Sequence, residues 1–349
     1  MNWLRGARLT ATLSEVARQA GVSQATASRV LNGRRYVSAR SRASVENAAR
    51  ALDYVPHHAA RELSMARTAT VALLVHHEQY PVGGEGTFSS RVIHGAMRSL
   101  HAAGQDLLYV VVDDDEALRL STLPAVHRGR SDGALVLGPA FPRESVARLH
   151  AAGRPIVLID NRVPSIGVDC VMADNRPAVE QLTTHLIVDH GYRRIVCLAG
   201  PRTWPSTAER AHGYAAAMNA YGLETRVLHA TEATIRDGAA LAARLVDDPP
   251  DAIVAVNDAM AVGALHRFRA APSRPAVVGF DDISWARLTD PPLTTVAVDA
   301  GAMGALAATL LLTRIAQPAI TESPRVHRIP AVVRVRASCG CASTATEVP

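Results

Sequence analysis

Cysteine is scarce in this chain: four residues in 349, Cys170, Cys197, Cys339 and Cys341. That is too few for a disulfide framework and suits a reducing compartment. Cys339-Gly340-Cys341 stands without a C-x2-C partner or a histidine pair beside it, so it reads as two free thiols. Lysine is absent altogether, and all 37 basic Lys/Arg positions are arginine; with abundant alanine this reflects codon usage more than mechanism. No run of eighteen apolar residues occurs, which argues against a membrane-spanning helix. The opening MNWLRGARLTATL has no uninterrupted apolar stretch, so a signal peptide is not expected and the expected compartment is the cytoplasm. G-x-S-x-G, H-E-x-x-H and G-x-x-x-x-G-K-[ST] are all missing, which disfavours the commonest hydrolytic, zinc-protease and nucleotide chemistries. The glycines near 83–86 follow no strand closely enough to cradle phosphate, and Asp113 to Glu116 reads as an acidic helix start. No cofactor or metal is expected.

What is present is an uneven charge distribution. Residues 1–68 carry eleven arginines against four acids, a net of +7, whereas the whole chain is +5. The remaining 281 residues are therefore slightly acidic, and the excess positive charge sits at one end, the electrostatic footprint of a phosphate-binding domain. Within that end, Thr12 to Asn32 spells two short helices about a tight turn. Leu13, Val16, Ala17 and Ala20 follow helical spacing, and Thr12 with Glu15 forms a capping box. Gly21 breaks the helix, and Ser23 caps a second one that turns Val30 and Leu31 inward and leaves Gln24, Ala25, Ser28 and Arg29 outward. Helix, glycine turn, helix is the pattern of a helix-turn-helix. A third helix follows from about Ala39 to Leu52, capped by Ser38, with Val45, Ala48, Ala49 and Leu52 inward.

The stretches GVSQATASRVLNG and VSARSRASVENAARALDYVPHHAARELS resemble the DNA-binding headpiece of the LacI/GalR family of bacterial repressors. The resemblance implies a protein that binds double-stranded operator DNA as a homodimer, with no membrane partner, under control of a small-molecule effector, most often a sugar. A nucleoside-type corepressor or a protein partner are the alternatives, and a solute-binding protein shares the core fold. Matched position by position, Gln24, Ala25 and Arg29 approach base edges, with Ser28 on the same face. Thr12, Ser23, Thr26, Asn32 and Tyr36 hold phosphates. Leu63, in a hinge helix at about 57–68, is the minor-groove wedge. His57 departs from the asparagine usual after the proline.

From Thr70 the pattern alternates strand and helix. Apolar runs at Val71–Val75, Leu107–Val112, Ala134–Leu137 and Ile156–Ile159 form one set of strands. Those at Ile195–Ala199, Val227–His229, Ile253–Val256 and Ala276–Gly279 form a second. Helices between them end at Gly104, Gly153, Gly191 and Gly222, each followed by a strand. Two sets predict two α/β subdomains. With the resemblance, the fold class is an all-α helix-turn-helix headpiece plus an α/β core of two-lobed, periplasmic-binding-protein-like (type I) parallel sheets. The expected divisions are an arm at 1–11, the headpiece at 12–56, the hinge at 57–68 and the core at 69–338. Crossovers near 168, 296 and 326 make lobe 1 residues 69–168 and 297–325, and lobe 2 residues 169–296 and 326–338, leaving 339–349 as a flexible tail.

Ligands of such sheets sit beyond the strand C-termini. Asp160, Asn257, Asp258 and Asp281 follow strands, and Arg210 opens a helix of the second lobe. Carboxylates accept from sugar hydroxyls and a guanidinium donates in a fixed fork. Phe88 matches the family's aromatic over the ligand, and Trp204 and Trp285 lie in loops within reach. The effector set read from the sequence is therefore Phe88, Asp160, Arg210, Asn257, Asp258 and Asp281.

Overall fold

The computed structural model describes residues 11–31, 37–54, 67–77, 87–127, 130–317 and 323–342. Asn32, Tyr36, His57 and Leu63, most of the hinge and the loop at 78–86 lie outside them. Contacts divide the chain into two units, Met1–Thr68 and Ala69–Pro349.

In the first unit, α1 (Leu13–Ala20), α2 (Gln24–Leu31) and α3 (Ala39–Ala51) surround a small core. Val16, Ala17, Ala27, Val30, Val45, Ala48 and Ala49 are buried in it, with Leu31, Leu52 and Tyr54 packed alongside. The capping box forms at the start of α1: Glu15 N donates to Thr12 Oγ1, and the Thr12 N–H returns to the Glu15 carboxylate at 2.7 Å. Gly21 takes a φ of 66°, and the N–H of Val22 closes the helix end on the carbonyl of Ala17.

The second unit begins with β1 (Thr70–His76), α4 (Phe88–Ala102), β2 (Asp106–Val112), β3 (Gly133–Leu137), α5 (Arg143–Ala151), β4 (Ile156–Ile159) and β5 (Asp169–Ala173). It continues through α6 (Asn175–Val188), β6 (Ile195–Ala199), α7 (Pro205–Ala220), β7 (Arg226–His229) and α8 (Ile235–Ala243). Then come β8 (Ala252–Ala255), α9 (Asp258–Phe268), β9 (Ala276–Asp281) and β10 (Thr294–Val298). Last are α10 (Ala300–Ala316), β11 (Val326–Ile329) and β12 (Ala331–Arg334). One sheet has the order β11-β5-β4-β3-β1-β2 and the other β12-β10-β9-β8-β6-β7. All pairings are parallel except β12 against β10.

The central strands β3, β4, β5, β6 and β8 are buried at every position. Helices on both faces demand this, and it is why these strands, β5 with its polar start apart, read as unbroken apolar runs. Each Leu or Ile so buried contributes roughly 1.5–3 kcal/mol. The edge strand β2 is instead partly exposed. The helix-ending glycines 104, 153, 191 and 222 all lie in the left-handed region, at φ of 65–75°. A different glycine use fixes α10 to the first lobe: a methyl on Gly304 would overlap the carbonyl oxygen of Val92 in α4, so the two helices pack backbone to backbone.

The chain crosses between lobes at Asp174, Asp299 and Pro330, where one sheet's strands give way to the other's. Each crossover falls a few residues after the places near 168, 296 and 326 that the sequence suggests, so β5 belongs to lobe 1 and β10 to lobe 2. The polar start of β5 hides it. Asp169 is buried there because Arg314 Nε and the N–H of Arg325 both donate to its carboxylate, each at 2.9 Å. The tail also needs correction. Ala337–Cys339 forms a 3-10 turn, Ser338 and Cys339 are buried, and the Ser338 hydroxyl accepts from the N–H of Thr294 at 2.8 Å.

The helix-turn-helix face and the interlobe cavity

On α2 the side chains divide cleanly. Ala27 and Val30 are buried, Thr26 and Ser28 are partly covered, and Gln24, Ala25 and Arg29 are exposed. This follows from helical periodicity, which turns positions 27, 30 and 31 toward the core shared with α1 and α3. Ser23 caps α2 by accepting from the N–H of Thr26 at 3.1 Å, and the two hydroxyls lie 2.8 Å apart. Thr12 is engaged with Glu15. These hydroxyls are thus held in place by the caps, at the helix N-termini where backbone N–H groups favour anions.

In the second unit a cavity of about 440 Å³ opens between the lobes. Lobe 1 contributes Phe88 at the start of α4 and Asp160 just after β4; lobe 2 contributes Arg210 of α7, Asn257, Asp281, Trp204 and Trp285. Arg210 is the electrostatic centre. Its guanidinium is buried, lies 3.7 Å over the ring of Phe280, and donates to Asn175 Oδ1 at 2.8 Å and the carbonyl of Val256 at 2.7 Å. It stands 3.5 Å from the Asp281 carboxylate, an ion pair longer than a hydrogen bond.

Asp160 and Asp281 share an unusual state. Both are non-glycine residues in the left-handed region, with φ of 53° and 112°, a strain that persists only where the surroundings enforce it. Both are buried, and burial raises each carboxyl to about 6, opposed by the charge of Arg210. Asp160 Oδ2 accepts from the Ser206 hydroxyl at 3.2 Å, whereas Oδ1 of each aspartate has no hydrogen-bond donor among the described residues. Two carboxylate oxygens with open acceptor capacity beside one guanidinium suit a ligand rich in hydroxyl groups.

Two sequence assignments change. Asp258 does not line the cavity. It is wholly buried, with Thr295 Oγ1 at 2.5 Å from one carboxylate oxygen and the N–H of Ile283 donating to the other at 3.0 Å. Its position at the first residue of α9 turns it toward β10, so its role is to fix the loop after β9. Asn257 does line the cavity, but its side chain is spent on structure: Oδ1 caps α9 at Met260 N and Nδ2 donates to the carbonyl of Ala233. The sequence reading misses Ser206, Glu232 and Arg236, which also line the cavity. Glu232 lies in the loop just after β7, where the strand-end rule that found Asp160 applies, whereas Arg236 sits in the first turn of α8 and that rule does not reach it.

Polar contacts also tie the lobes together. Arg91 of α4 donates to the carbonyl of Asp281. Arg328 of β11 makes a two-pronged ion pair with Glu209 of α7, at 2.6 and 2.7 Å.

Comparison with known proteins accords with this architecture. A model described as bacterial regulatory proteins, lacI family, matches residues 12–57, and one described as a periplasmic binding protein-like domain matches 184–339. The ribose operon repressor of Escherichia coli (strain K12) is 33% identical over 325 residues, covering 89% of this chain and 95% of that protein. A solved complex of the transcriptional regulator CelR with cellobiose is 32% identical, with a TM-score of 0.69 over 94% of this chain and 99% of that one. A lac repressor dimer solved on its operator shares the fold, with a TM-score of 0.78 at 23% identity over 92% of this chain and 97% of that one. With these likenesses running through both the basic helical unit and the two-lobed core, the chain belongs to the lacI family of bacterial regulatory proteins.

Proposed function

We propose that this protein is a transcriptional repressor that binds a near-palindromic operator as a homodimer and responds to a sugar held between its lobes. The observation that carries the DNA side is the exposed face of α2, where Gln24, Ala25 and Arg29 stand clear of the headpiece core. Arg29 pairs with a guanine, Gln24 reads an adenine or a flanking base, and Ala25 meets a thymine methyl. Thr12, Ser23 and Thr26, with Asn32 and Tyr36, set register on the phosphates, and Ser28 lies on the same face as the base-reading residues. Leu63 is the proposed minor-groove wedge. Action on DNA puts the protein's work in the cytoplasm.

The effector side rests on the cavity. Its volume is in the range of small-ligand sites. Asp160 and Asp281 accept hydroxyl protons, Arg210 donates, and Phe88, Trp204 and Trp285 offer apolar faces to a sugar ring. The ribose and cellobiose in the names of two relatives support a sugar. We read the cavity as binding without turnover, which an assay for conversion of any bound sugar checks.

The test is operator selection with the full-length protein, with and without a panel of sugars and nucleosides. The proposal expects a palindrome whose enrichment changes with one sugar. Arg29→Ala should cost about 1–3 kcal/mol at a guanine-containing site and relax base preference there. A palindrome indifferent to every compound would move control to a protein partner, and no enriched sequence at all would sink the DNA reading.

A further inference from the structure

Four metal-ligating side chains outside the cavity and the headpiece converge at the other end of the second lobe. His185 comes from the last turn of α6 and His190 from the loop before β6. Cys339 and Cys341 come from the segment after β12. Because edge strand β12 runs antiparallel to its one neighbour β10, its C-terminal end lies where β6 and β10 begin. The cavity sits at the opposite, C-terminal ends of those parallel strands.

One ligand atom from each of the four residues lies within 4.8 Å of all the others. His185 Nε2 is 3.5 Å from Cys339 Sγ and 3.9 Å from Cys341 Sγ, and His190 Nε2 is 3.4 Å from Cys341 Sγ. A tetrahedral zinc with bonds of about 2.3 Å to sulfur and about 2.0 Å to nitrogen has sulfur–nitrogen edges of about 3.5 Å. These three separations bracket that edge, and the remaining ones are within 4.8 Å, so the four atoms are grouped closely enough to share one such ion.

The surroundings are those of a metal site. His185 uses its other nitrogen, Nδ1, on the Asp189 carboxylate at 2.6 Å, which fixes the ring and leaves Nε2 to the thiols. The His190 ring is stacked on Tyr192, with centroids 5.2 Å apart. Gly340 has a φ of 103°, which turns the chain so that both thiols face the histidines. A methyl there would come within 2.7 Å of the Tyr192 hydroxyl oxygen. Cys170 and Cys197 form the contrast: both lie inside strands β5 and β6 and take no part in the cluster.

We propose that His185, His190, Cys339 and Cys341 form a tetrahedral zinc site that staples the C-terminal segment to α6. Two thiolates and two imidazoles are a donor set that favours zinc, and four protein ligands leave no open position, so the site is structural.

The test uses the full-length protein under reducing conditions. Zinc content is measured by mass spectrometry of the elements, and the zinc-free protein is titrated with cobalt(II) as a spectroscopic probe. The proposal expects one zinc per chain, and with cobalt the strong visible bands of a tetrahedral site plus thiolate charge transfer. Cys341→Ser and His190→Ala should each lose these signals while far-ultraviolet circular dichroism stays native. Zinc should raise the melting temperature of the wild type and leave that of Cys341→Ser unmoved. Three results would overturn the proposal: no tetrahedral cobalt spectrum from protein whose thiols titrate as free, full metal content in both variants, or a Cys339–Cys341 disulfide whose reduced form takes up no metal.

Discussion

Asp160 and Ser206 meet across the cavity at 3.2 Å, the carboxylate from the end of a first-lobe strand and the hydroxyl from the first turn of a second-lobe helix. This contact and the bond from Arg91 to the carbonyl of Asp281 join the lobes where a ligand would enter. On the proposed function, a sugar hydroxyl donating to Asp160 would act on the same carboxylate. Binding would then be tied to the angle between lobes, and an effector would shift that angle only through its differential affinity for the two states.

Asp160 makes the ligand-free core pH-sensitive. Burial raises its carboxyl to about 6 from 3.8, so the folded protein holds this proton more tightly than the unfolded chain does. Its contribution to stability is fully present below about pH 4 and is lost as pH rises through about 6. Asp160→Asn keeps an acceptor for Ser206 and removes the charge. The variant's core should melt above the wild type at about pH 8, by up to roughly 2–3 kcal/mol in stability, with the gap closing toward pH 4. Calorimetry across that range reads it, and a gap equal at every pH would remove the burial explanation.

Arg210 is the counter-charge for both aspartates. Arg210→Ala should destabilise the core by about 3–5 kcal/mol, the usual cost of breaking one side of a buried pair. Urea denaturation of the full-length protein measures it. A loss under 1 kcal/mol would mean the aspartates are neutral in the wild type at working pH.

Asp258 separates structure from binding. Burial holds its carboxyl well above the ordinary range, so asparagine can replace it with the same two bonds. Asp258→Asn should keep both stability and sugar affinity. Asp258→Ala should lose about 1–3 kcal/mol of stability by leaving Ile283 N–H and Thr295 unsatisfied, while folded molecules still bind. Selective loss of affinity in a stable Asp258→Ala would restore it to the ligand set.

Two glycines should respond differently to alanine. Gly304→Ala forces α10 away from α4 and should cost the core about 1–3 kcal/mol. Gly21 has open space about it but a φ of 66°, so Gly21→Ala should cost the headpiece about 1–2 kcal/mol and leave the core transition alone. Separate thermal transitions of the two units provide the readout.

Much of the fold was legible because parallel strands covered on both faces must be aliphatic throughout. Six of the strands announced themselves this way, the part-exposed edge strands β2 and β7 showed shorter or mixed apolar runs, and helix-ending glycines marked the junctions. The crossover strands were harder. β5 starts at Asp169 and β11 contains His327 and Arg328, and their polar residues are satisfied by partners far away in sequence. In the candidate site, Asp160, Arg210 and Asp281 were readable from strand ends and resemblance. That Asp258 turns inward depends on the rotation of α9 about its axis, which spacing alone does not set. The histidines facing Cys339 and Cys341 lie some 150 positions upstream, a distance that only the antiparallel return of β12 closes.

The most direct test is operator affinity measured against sugar concentration, in the wild type and in Asp160→Asn. The account predicts that one sugar changes the operator affinity of the wild type, and that the variant binds the same operator but no longer responds to that sugar. Equal responses in both proteins would place the effector elsewhere and contradict the cavity as the control site.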